Sequence, residues 1–382
     1  MPELTLKPLT GRTPTVIAGL TILAVLGFLG VGRLVSRFQE QQKALARHLY
    51  QRGFAEQQTG KLDLAVQHFR AALGYDPDNF QYQLSLARSL RDSGRTDEAE
   101  AYLISLWERS PQNGAVNLAL GRLAVRQARI DKIIQYYHNA IYGVWDSDAE
   151  RNRLNAWFEL VGVLLRLNAR AQAQAELIAL SVNLPPKPEL LMPAADLFAQ
   201  AQDYDHALGE YRRVLQIDHT NANAAAGAAE MAFKLGRYRT ADRYLEIASK
   251  ANPRDEQISN MLQISKFILQ QDPFSRGLSA QDRSVRIRSI LQEAGKRLDT
   301  CMSSQPQGAN QVQQPVGLSQ LKAQWTEMTR RLHRLGAAGE SGLADEVMDL
   351  VLQIEQQTSS CAPGPRDQAL LLLAQSRAGV EQ

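Results

Sequence analysis

Residues that carry chemistry are scarce in this sequence. Its only two cysteines, Cys301 and Cys361, stand sixty positions apart, so no CxxC pair for metal or redox work can form. Six histidines (His48, His68, His138, His206, His219, His333) are scattered without metal-ligand spacing. There is no phosphate-binding glycine loop, no HExxH and no GxSxG. An excess of one charge is missing too. The 43 basic residues meet 40 acidic ones, and a net charge of +3 predicts no nucleic-acid partner. Asp97 and Glu98 fall at a helix start, where acids favour the dipole. The expectation is a protein that is no enzyme, with no catalytic residues, cofactor or metal.

What is present begins with one long apolar run. Thr13 to Gly32 contains twenty residues without a charge, bracketed by Arg12 and Arg33. As a helix it reaches about 30 Å, the thickness of a bilayer core. A buried core helix and a cleaved signal peptide are the alternatives. The N-terminal position opposes the first, and the poor cleavage site at Gly30-Val31-Gly32 opposes the second. The favoured division is a polar tail (1–12), a transmembrane helix in the lipid bilayer (13–34) and a helical linker (35–45). Arg33, Arg37, Lys43 and Arg47 follow the run and only Lys7 and Arg12 precede it, which by the positive-inside rule places the rest in the cytoplasm. Large domains can translocate regardless of such charges, so the side of the membrane is left open.

From residue 46 to 255 the chain keeps a 34-residue beat. Ala65, Ala99 and Ile133 mark it, and after a six-residue slip Ala173, Ala207 and Ala241 resume it. Four residues on stand Phe69, Leu103, Tyr137, Leu177, Tyr211 and Leu245, and three further Ala72, Leu106, Ala140, Leu180, Val214 and Ala248. These offsets share one helix face, with the small residue admitting a neighbouring backbone beside the large one. Pro77, Pro111, Pro185 and Pro253 stop the helix, with Trp145 and His219 as exceptions. A helix upstream has its own small position (Gly53, Ala87, Gly121, Ala195, Ala229), broken only by Val161. A turn residue separates the two: Gly60, Gly94, Asn168 and Gly236, with Ala128 and Gln202 less apt.

This pattern closely resembles the tetratricopeptide repeat family. The units are 46–79, 80–113, 114–147, 154–187, 188–221 and 222–255, with an insertion at 148–153. The resemblance implies an all-α, superhelical array of helix–turn–helix units whose concave groove binds a protein or peptide segment, and it implies no chemistry. Some members grip a C-terminal carboxylate with Lys, Asn and Arg on inner helices. The corresponding positions here are Tyr50, Phe54, Leu84 and Arg88. Only Arg88 is of the right type, so that mode is not expected. The insertion next to Trp145 reads either as a longer loop or helix, or as a contact loop widening the groove. The alanines from Ala222 to Ala229 either pack tightly or leave room for a ligand.

After the array, 256–271 reads as a capping helix and 279–382 as a small helical module with a polar link at 303–315. An N-cap at Ser279 opens it, Trp325 lies in an apolar stripe suited to a core or to a partner, and Gly336 to Gly342 reads as a loop. Cys301 and Cys361 are either a disulfide or two free thiols. The functional expectation is a membrane-anchored scaffold for protein–protein interaction, in assembly or quality control of envelope proteins. The alternative is an accessory subunit of an enzyme complex acting through the C-terminal module.

Overall fold

The structure is a computed structural model that describes residues 13–304, 316–361 and 364–378. The polar tail and nearly all of the expected polar link lie outside these residues. Among the described residues every element is a helix, and one isolated bridge joins Asn113 to Val144. The chain divides into two compact units, Met1–Val163 and Leu164–Gln382.

The first unit opens on α1 (Thr13–Gln58), 46 residues without a break. No proline occurs in it after Pro14, so nothing interrupts its hydrogen-bond ladder. At 1.5 Å per residue it is about 69 Å long. The apolar run, the linker and the first helix of the first repeat are one rod. By length and composition Val16–Gln58 can cross a membrane, with a window of mean hydropathy 2.0 that is 0% buried. Behind it come α2 (Leu62–Tyr75), α3 (Phe80–Asp92), α4 (Thr96–Arg109), α5 (Gly114–Arg126), α6 (Ile130–Ile141) and the greater part of α7 (Ala149–Arg166). Neighbours pair antiparallel, α1 on α2, α3 on α4 and α5 on α6. The insertion supplies the first turns of α7, which at 18 residues is longer than the 13 of α3 or α5.

The second unit continues with α8 (Arg170–Asn183), α9 (Pro188–Gln200), α10 (Tyr204–Ile217), α11 (Ala222–Lys234), α12 (Tyr238–Ala251) and α13 (Glu256–Gln271). Five helices follow: α14 (Ala280–Ser304), α15 (Val316–Arg334), α16 (Ala337–Gly342), α17 (Ala344–Gln357) and α18 (Pro365–Ala378). They share a core of Ile287, Leu291, Leu298, Leu332, Val351 and Leu370, which Phe233 and Tyr238 join from the end of the array. The segment from Gly336 to Gly342 is not a loop. It forms the short helix α16 of six residues, whose Glu340 is buried and pairs with Arg288 at 3.3 Å.

Sequence chemistry sets the boundaries. Asn79, Asn113, Asn221 and Asp255 accept hydrogen bonds from backbone N–H groups in the first turns of α3, α5, α11 and α13. Ser279 accepts from Asp282 N at 3.0 Å while its hydroxyl donates to the Asp282 carboxylate at 2.7 Å. Within each repeat the turn needs one left-handed residue, where the chain reverses by a six-to-one bond such as Arg95 N to Leu90 O at 2.8 Å. All six turn positions adopt that conformation: Gly60, Gly94, Ala128, Asn168, Gln202 and Gly236, with φ between 53° and 84°. Ala128 and Gln202 therefore carry the steric cost of a Cβ where glycine has none. Ala128→Gly is expected to stabilise the protein by about 1 kcal/mol, checked by urea unfolding.

Candidate functional site

Small-to-large packing builds the inner face of the first unit. A Cβ on Gly53 would come within 2.9 Å of the Phe69 ring, and one on Gly121 within 2.7 Å of the Tyr137 ring. Only glycine lets α1 and α5 lie that close to their partners. Ala65, Phe69, Ala87, Ala99 and Tyr137 are all fully buried. In the second unit Ala173, Ala195, Ala207, Ala229 and Ala241 are likewise buried, as is Tyr211. Tyr211 closes over Gly227, a contact that the repeat pattern does not single out. The alanines of α11 (Ala224, Ala225, Ala228, Ala229, Ala232) are buried, so this small-residue face is packed. Pro77, Pro111, Pro185 and Pro253 stand in the connections after α2, α4, α8 and α12.

Of the four inner positions read from sequence, the structure keeps three near the surface. Tyr50 stacks on Tyr82 with centroids 4.7 Å apart and shares a hydrogen bond with Ser85 at 3.2 Å. Phe54, one helical turn on, is 47% exposed. Leu84 is 1% exposed and sits in the core with Leu103, Leu106 and Leu123, out of reach of a ligand. Arg88 is half-buried on α3.

Arg122 on α5 binds Glu159 on α7 through two parallel hydrogen bonds of 2.8 and 2.6 Å, and Tyr137 donates to the same carboxylate at 2.7 Å. These partners hold the Glu159 carboxyl below its ordinary range against the opposing effect of burial. Burial first, then the bond to Glu159, pushes the Tyr137 hydroxyl up. The triad was illegible in sequence. Arg122 and Glu159 lie on separate repeats, 37 residues apart, and the insertion breaks the register between them. Trp145 is the other surprise. It covers Gly114 and donates to Ala140 O at 2.9 Å, closing α5 onto α6 and taking no part in a contact loop.

In the second unit, inner-helix positions Asp196 and Glu230 are acidic. Tyr211 donates to Asp196 at 2.6 Å, and Glu230 pairs with Lys234 at 2.8 Å. Trp325 is held inside the C-terminal helices, where its indole donates to Leu291 O at 2.7 Å and its ring covers Gly295. Cys301, at the end of α14, is bonded to Cys361 with Cα atoms 5.6 Å apart. Arg297 holds the same corner, donating to Thr358 O at 2.7 Å and to Cys361 O and facing Asp367 at 3.5 Å.

Glu355 lies buried beside this corner, and desolvation, then Asp367, raises its carboxyl to about 8 while Arg297 acts the other way. A raised acid binds its proton more tightly folded than unfolded. Its stabilising contribution is complete below the ordinary value of 4.5 and is lost as pH rises to about 8. Glu355→Gln is expected to melt higher than the parent at pH 8 and to narrow that gap at pH 5. Among the described residues no group of three His, Cys, Asp or Glu side chains could hold a metal ion.

Paired helices with small-to-large contacts and six left-handed turns in phase are what a helical repeat requires. The family description Tetratricopeptide repeat matches residues 50–114 and 84–142. Residues 50–142 thus match the tetratricopeptide repeat family. A putative cellulose synthase operon protein C from Escherichia coli O157:H7 is 24% identical over 190 residues, 49% of this chain and 16% of that protein. The chain thus spans about a sixth of that relative's length. Among solved structures, PilF of Pseudomonas aeruginosa is 19% identical at a TM-score of 0.38, covering 57% of this chain and 97% of that one. PilW, titled a widely conserved type IV pilus biogenesis factor, is 17% identical at 0.38, covering 57% and 98%.

Proposed function

We propose that this tetratricopeptide repeat protein is a membrane-anchored scaffold whose inner helices bind a segment of a partner protein. The carrying observation is the unbroken α1, in which a bilayer-length apolar stretch and the first repeat helix form one rod. On this reading the bilayer takes residues 13–34, and residues 35–45 hold the first repeat about 17 Å off its surface. The Cys301–Cys361 bond supports placing the repeats outside the cytoplasm, where disulfides persist. Assembly or quality control of envelope proteins is the process that fits such a place. Arg297 and Asp367 near the disulfide are spent on holding this corner together, in keeping with a structural role for those helices.

The test is photo-cross-linking in membranes, with a photoreactive residue at Phe54 on the inner face or at Tyr75, which is 41% exposed on α2. The expected result is a partner adduct from position 54 and none from position 75. Equal adducts from both, or none from 54, would remove the groove reading.

A further inference from the structure

Between α10 and α12, the second helices of the last two repeats, lies a hollow of about 280 Å³ with basic walls. Arg212, Gln216 and His219 line it from α10 and the turn after it, and Arg243 lines it from α12. Its floor is Leu215, Tyr244 and Ile247. No carboxylate and no residue of the inner helices takes part. The acids of the surrounding helices are engaged elsewhere. Glu210 holds Arg213 at 2.9 Å, Asp205 holds Arg237 at 2.6 Å and Glu246 holds Lys266 at 3.3 Å. Asp218, next to His219, accepts from the Thr220 backbone and hydroxyl at 3.0 and 2.8 Å. Among the described residues, Arg212 and Arg243 are exposed and make no ion pair.

Two of the basic groups are held in place. The Arg243 guanidinium lies over the Tyr244 ring, 5.0 Å from its centroid, and donates to the Tyr244 hydroxyl at 3.4 Å. His219 Nδ1 donates to Leu215 O at 2.6 Å, which fixes its ring. Groups already oriented lose less freedom when a ligand arrives. One guanidinium fork suffices for a carboxylate. Two guanidiniums, a carboxamide and an imidazole around one hollow suit an anion of higher charge whose oxygens point several ways. A phosphate group has both properties.

We infer that this hollow binds a phosphate group borne on an organic skeleton. The arginines and Gln216 donate to its oxygens, and the skeleton rests on Leu215 and Ile247. The hollow shares no helix with the inner face proposed above as a groove, so either can fail without the other.

The experiment is isothermal titration calorimetry on the full chain in uncharged detergent micelles at fixed ionic strength, with phenyl phosphate and benzoate as probes. One saturable phenyl phosphate site per chain is expected, with benzoate about tenfold weaker. Arg212→Gln and Arg243→Gln should each bind phenyl phosphate about tenfold more weakly, the loss of one charge-assisted hydrogen bond. Both arginines are exposed, so both variants should melt with the parent. Arg239→Gln, which removes an exposed arginine of α12 outside the hollow, should bind as the parent does. Displacement of phenyl phosphate by phosphatidic acid added to the micelles assigns the group to a lipid headgroup; no displacement assigns it to a soluble ester. Absence of saturable binding, equal affinity for benzoate, parent-like affinity in Arg212→Gln or Arg243→Gln, or an equal loss in Arg239→Gln would each overturn the inference.

Discussion

Replacing Cys301 and Cys361 by serine is expected to cost the C-terminal helices about 4 kcal/mol. The bond closes a loop of sixty residues that includes α15, α16 and α17. In the chain-entropy treatment, releasing a loop of that length frees the unfolded ensemble by about 4 kcal/mol. The corner is also where Arg297 reaches the carbonyls of Thr358 and Cys361, so separating α14 from residue 361 strips a buried guanidinium of acceptors. Urea unfolding followed by far-ultraviolet circular dichroism measures this. The variant, or the parent under reductant, should unfold at markedly lower urea than the oxidised parent. An unchanged midpoint would mean that the apolar core of these helices suffices alone.

The second large effect concerns Gly121. Gly→Ala inside a helix ordinarily gains about 1 kcal/mol. Here the added methyl meets the Tyr137 ring, which is fully buried and fixed through its hydroxyl to Glu159. The ring cannot yield without breaking that bond, so Gly121→Ala is expected to destabilise by about 2 kcal/mol, the range of overpacked cores. A double-mutant cycle checks the cause. Tyr137→Leu alone should be destabilising through lost contacts. In combination with Gly121→Ala the total should fall short of the sum by about 1 kcal/mol or more, because the methyl no longer collides. Additive costs would place the strain elsewhere.

What could be read in sequence was local. Small and large residues at helical spacing marked the pairs, since Gly53 with Phe69 and Gly121 with Tyr137 recur two repeats apart on opposing helices. Glycine and asparagine marked the turns, and the shared register carried that reading to Ala128 and Gln202, whose own types argue against it. What escaped was set by tertiary distance. Leu84 follows the same step as the surface residue Tyr50, yet packs into the core between α4 and α5. The Arg122–Glu159–Tyr137 triad needs α7 displaced by its insertion. Trp145 offered a signal in Gly114, the small residue it covers, but the two lie in a loop and at a helix start outside the periodic face.

On the function proposed above, α1 leaves the bilayer and carries the repeats into an oxidising compartment. Labelling of Cys301 and Cys361 with a membrane-impermeant maleimide in intact cells or spheroplasts, with and without prior reduction, tests this directly. The expected result is labelling without permeabilisation, and only after reductant has opened the disulfide. Labelling that needs permeabilised membranes and no reductant would contradict it, placing the repeats in the cytoplasm with free thiols.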